Sequence, residues 1–66
     1  MKLTYTTREG VRHPLELVRR HDMPRFFVVR SQRTNEVLHL DAGSIEVDGQ
    51  RATAEGLDDI LNPRRS

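Results

Sequence analysis

The chain has 66 residues, 35% of them apolar and 32% charged, with no cysteine. That length admits one domain with one thin core, and the missing thiols exclude disulfides, thiol catalysis, thiolate zinc sites and iron–sulfur clusters. Net charge is +1, yet residues 1–33 hold eight basic against three acidic side chains, net +5, while residues 34–63 hold Arg51 against seven acids, net −6.

The elements follow in chain order, and their period is mostly two. Leu3 and Tyr5 alternate with Thr4 and Thr6 as a first strand. Glu9-Gly10 signals a turn. In the second strand Val11, His13, Leu15 and Leu17 share one face, with Arg12, Glu16 and Val18 on the other. Pro14 lacks a backbone donor, so the early part of this strand is expected at an edge or a bulge. Arg19 to Pro24 is polar, ends in proline and reads as a loop. Phe26-Phe27-Val28-Val29 is the most apolar run and suits a strand buried on both faces. Ser31 to Asn35 is a polar turn, and Val37, Leu38 and Leu40 make the next strand. Gly43 breaks it, Ser44 to Val47 makes a short strand, and Asp48-Gly49 is the strongest hairpin dipeptide in the chain. Gln50 to Thr53 is the expected return strand.

Helical spacing occurs only at the end. Leu57, Ile60 and Leu61 share a face, Thr53 is an N-cap candidate, and Asn62-Pro63 stops the helix. The expectation is a mainly β fold. It is a small SH3-like barrel or a strongly bent antiparallel sheet of five to six short strands with one C-terminal helix. Residues 1–63 form one small β domain and residues 64–66 a basic tail. No apolar run nears the roughly 18 residues of a membrane-spanning helix, and no signal-peptide core follows Met1-Lys2. The chain therefore reads as cytoplasmic, with no membrane partner.

The order of these residues resembles the WYL domain, a small SH3-like barrel of bacterial and phage regulators. Leu3-Thr4-Tyr5 matches its opening apolar-x-Tyr strand, and Gly10, Arg12 and Pro14 match its glycine turn and the Arg and Pro that follow. Phe26-Phe27-Val28 stands in the place of the Trp-Tyr-Leu tripeptide. Val37-Leu38-His39-Leu40-Asp41 and Ile45 stand in the place of the later strand pair. The resemblance covers residues 3–47. The chain departs from the pattern in having no tryptophan, and Ala42-Gly43-Ser44 stands where the family has an arginine before the isoleucine. The resemblance implies a ligand-binding module for nucleic acid or nucleotide-like molecules, with Tyr5, Arg12 and Arg33 in the binding positions.

Catalytic and metal chemistry find little support. His13, His21 and His39 have no metal-ligand spacing, and His13 and His39 meet only if their strands are neighbours. Ser31, His39 and Asp41 can be written as a triad, but no oxyanion-hole glycine motif accompanies them. Asp58 and Asp59 diverge by about 100° on a helix and suit its first turns as charges. Phe26 and Phe27 lie between Arg25 and Arg30, as stacking rings do in single-strand nucleic-acid binders, but a core this small requires at least one of them.

No catalytic residue, metal ligand or cofactor is therefore expected, and the chain reads as a non-enzyme. Its expected function is that of a small binding module for a protein partner or for further copies of itself, a regulator, adaptor or inhibitor of a larger machine. Exposed strand edges and polarised charge suit that function, and association supplements a thin core. The alternative is WYL-like binding of nucleic acid or a nucleotide ligand. The candidate binding residues in either case are Tyr5, Arg12, Arg19, Arg20, Arg25, Arg30 and Arg33.

Overall fold

The computed structural model describes residues 1–63; the basic tail expected at 64–66 lies outside them. The strands are β1 (Leu3–Thr6), β2 (Arg12–Arg20), β3 (Phe26–Ser31), β4 (Val37–Asp41), β5 (Glu46–Val47) and β6 (Gln50–Arg51). A one-turn 3-10 segment, Ala42–Ser44, joins β4 to β5, and helix α1 (Ala54–Leu61) is the last element among the described residues. All strands are antiparallel in one sheet of order β4-β3-β2-β1-β5-β6. The sheet does not close, so of the two expected forms it is the open antiparallel sheet and not the barrel that is adopted. The long β2 serves both halves: its first residues pair with β1 and its later ones with β3.

One core lies on the inner face. Leu15, Phe27, Val29, Ala42, Ile45 and Leu57 are its buried centre. Alternation delivers Leu15 from β2 and Phe27 and Val29 from β3 to the same side. Leu57 closes the core from α1 as the fully buried residue of the predicted helical face, with Ile60 and Leu61 packed beside it. The Thr53 hydroxyl accepts a hydrogen bond from the Gly56 amide at 3.0 Å, so the predicted N-cap is formed. At the β5–β6 hairpin, Asp48 and Gly49 both adopt positive φ, +52° and +85°. Two such residues make the turn whose twist matches that of the strands.

Three details differ from expectation. Pro14 lies in an interior strand, opposite Thr4 of β1 and beyond the last regular β3 pair, Leu15 with Ser31. The Thr7 amide donates to the Val11 carbonyl at 2.8 Å. Counting rungs from there points the position-14 nitrogen away from β1, toward Gln32. The Gln32 amide donates to the Pro14 carbonyl at 2.8 Å. The missing proline donor thus costs one bond at the end of a ladder, beside an exposed residue. Second, Arg19 and Arg20 belong to β2 and not to a loop. A bulge between Leu17 and Arg19 absorbs Val18, so Arg19 comes opposite Val28 and Arg20 opposite Phe27. Third, the return strand is only Gln50–Arg51, because Thr53 already caps the helix. The strand before the hairpin is likewise cut to Glu46–Val47, with Ile45 closing the 3-10 turn through a bond from its amide to the Ala42 carbonyl at 3.1 Å. Among the described residues, no helix is long and apolar enough to cross a membrane.

Candidate functional site

Strand β3 is buried on both faces, as its apolar run predicts. Phe27, Val29 and Ser31 face the core, so the pleat turns Phe26, Val28 and Arg30 to the outer face. Val28 is 3% exposed although it lies outside the core cluster. In register it sits between Arg19 of β2 and His39 of β4. The outer face therefore has an apolar centre of its own. Around it stand the half-buried Phe26, Arg30 opposite Val37, and Glu16, whose carboxylate is 3.8 Å from the Arg30 guanidinium.

The loop before β3 folds back onto this face. The His21 amide donates to the Phe26 carbonyl at 3.0 Å, and the Phe26 amide donates to Met23 O at 3.2 Å. The Met23 amide donates to His21 Nδ1 at 3.0 Å. These bonds set the His21 ring 4.7 Å from the His39 ring and 6.1 Å from the Phe26 ring, centroid to centroid. With Nδ1 accepting, the neutral His21 ring carries its proton on Nε2 and offers a donor there. His13 and His39 do not meet, since β3 runs between their strands. His13 Nδ1 lies instead 2.9 Å from the Oγ of Ser31, a fully buried hydroxyl that also accepts from the Arg33 and Thr34 amides. The written triad does not assemble, because Ser31 lies on the inner face and His39 and Asp41 on the outer. Among the described residues, no group of three or more His, Asp or Glu is placed to hold a metal ion.

Strand β4 borders this face and is an end strand of the sheet. Its ladder to β3 is framed by two bonds of 2.8 Å, from the Ser31 amide to the Glu36 carbonyl and from the Ala42 amide to the Arg25 carbonyl. Antiparallel alternation between these points turns the amides and carbonyls of Leu38 and Leu40 toward β3. Those of Val37, His39 and Asp41 point away from the sheet. The strand carries no proline, lysine or bulge, and Val37 is 55% exposed. Edges of this kind are normally blunted. The opposite edge, β6, is two residues long and includes Arg51.

The residues named from sequence are spread over the molecule. Arg19 and Arg30 share the outer face with Val28, although the Arg19 Nη1 donates to the Arg20 carbonyl at 3.1 Å. Arg20 is on the inner side, 3.0 Å from Asp58 of α1. Tyr5 packs against the core with its ring stacked 6.2 Å from His13. Arg12, opposite Thr6, is exposed on the other face from Tyr5. Arg25 and Arg33 lie in the turns at the two ends of β3, Arg25 with a left-handed backbone at φ +71°. The ion pairs join Arg20 to the acidic half and Arg30 to Glu16 of its own half; among the described residues Glu36, Asp41 and Glu46 pair with no arginine. His21, Phe26 and His39, which the fold does bring together, share no local motif. Their one signal in the sequence is the two-sided apolar run of β3. In comparisons with protein-family models, curated proteins and solved structures, nothing matches the chain.

Proposed function

We propose that the chain is a non-enzymatic binding module that takes a protein partner in extended form, as a strand added to β4. The observation that carries this reading is the free edge, where three consecutive outward rungs, at Val37, His39 and Asp41, have no partner strand; Val37 and His39 are exposed and Asp41 is half-buried. Backbone pairing supplies affinity in such additions, and alternate side chains supply specificity. Here the alternate positions are chemically distinct. The inner face offers Leu38 and Leu40, and the outer face offers Phe26, His21 and His39 beside the strand. The distribution of arginine supports a protein partner over phosphate. Contacts to a nucleic-acid backbone need basic groups on one surface, whereas Arg20 and Arg30 face carboxylates and Arg25 and Arg33 lie at opposite ends of β3.

Panning a random peptide library against the immobilised protein tests this. The enriched peptides should alternate apolar and polar residues and should lose binding to the His39→Pro variant, which lacks one outward amide. Enriched peptides that bind His39→Pro as well as the parent protein would place the binding surface elsewhere.

A further inference from the structure

We infer that the strand added to β4 is β4 of a second copy of this chain, antiparallel to the first about a two-fold axis through His39. The inference rests on β4 being the binding edge. The strand Val37-Leu38-His39-Leu40-Asp41 is symmetric about its centre in the property that matters, with a leucine on each side of the histidine. Pairing His39 with His39 of the copy sets Val37 opposite Asp41 and Leu38 opposite Leu40. The outward groups of Val37, His39 and Asp41 then all find partners, so no rung of either edge is left open within the strand. Shifting the pairing by one residue would set inward-bonded Leu38 and Leu40 against outward groups and break the ladder.

Both faces gain from this register. On the inner side Leu38 and Leu40 already pack against the core. They fall in the rungs where cross-strand side chains approach most closely, so the two cores join through a leucine quartet. On the outer side each row crosses the junction as Glu16, Arg30, Val37, then Asp41 and Phe26 of the copy. Val37, exposed in the single chain, becomes covered. Arg30 stands two strand spacings, about 10 Å, from the copy's Asp41, within reach of an extended guanidinium. Oδ1 of Asp41 accepts from the Gly43 amide at 2.7 Å, which leaves Oδ2 for that arginine. The two-fold repeats the pair, so the charges are complementary in both directions.

The test uses the absence of cysteine, which lets one introduced thiol be labelled alone. Light scattering across a concentration series should show a monomer–dimer equilibrium. A nitroxide on His39→Cys should show strong dipolar broadening in the dimer, because paired residues lie about 5.5 Å apart at Cα. The same label on Gln50→Cys, at the opposite edge, should show none. Arg30→Glu should weaken the dimer about tenfold at low salt. A monomer at every concentration, or a dimer broadened at position 50 and not at 39, overturns the second-copy inference. Peptides that bind the parent protein and not His39→Pro would still uphold strand addition in that event, so the two failures are separable.

Discussion

Phe27→Ala should abolish cooperative unfolding at 25 °C. The ring is fully buried and is the largest side chain of the core, set between Arg20 of β2 and Leu40 of β4. Replacing it loses the transfer energy of the ring and leaves a cavity, about 3–5 kcal/mol together. A single core of this size supplies about 3–5 kcal/mol in total, so little is left. Phe26→Ala serves as the matched control. Its ring is half-buried on the outer face and has no place in the core cluster, so the loss should be small enough to leave a cooperative transition. Urea titration followed by circular dichroism reads both variants. A Phe27→Ala midpoint equal to that of the parent would contradict the assigned core.

Two adjacent prolines should behave in opposite ways. Leu38→Pro removes an amide that bonds to the Val29 carbonyl on the sheet side of β4. Val29 is fully buried, so its carbonyl loses its donor with no water to replace it, about 1–3 kcal/mol before the strain of the ring. That consumes much of the stability of so small a domain, and Leu38→Pro should be largely unfolded. His39→Pro removes an amide that points outward and holds nothing within the chain. Proline is tolerated at such edge positions, so this variant should keep the parent spectrum and a melting temperature within a few degrees. It should nonetheless lose strand addition. Thermal melts of the two variants, side by side, read the direction of each rung. Equal destabilisation by both would show that the ladder parity is wrong.

Much of the fold is legible from the residues, because its determinants are local. Alternation at Leu3 and Tyr5 and at Leu15 and Leu17 gives strands, and Asp48-Gly49 gives a hairpin with two left-handed residues. The spacing of Leu57, Ile60 and Leu61 gives the helix face that closes the core. The misread details are tertiary. Whether Pro14 is tolerated depends on which neighbour its nitrogen would face, and that parity exists only once β1 and β3 are in place. Arg19 and Arg20 look like loop residues, yet a one-residue bulge keeps them in register with Val28 and Phe27. The candidate site is the least legible part. Its edge follows from sheet order, since among the described residues no later strand returns to β4. His21 joins His39 through backbone bonds that refold a loop, and no residue spacing announces that contact.

Amide hydrogen exchange at β4, read residue by residue by nuclear magnetic resonance, tests the central claim most directly. In the dilute, unliganded chain the amides of Val37, His39 and Asp41 should exchange fast, while those of Leu38 and Leu40, bonded to β3, exchange slowly. On adding a selected peptide, or on raising the concentration into the dimer range, the three fast amides should become protected together, and those of Gln50 and Arg51 should not change. Binding that leaves Val37, His39 and Asp41 exchanging as fast as in the free chain would contradict a strand added at this edge.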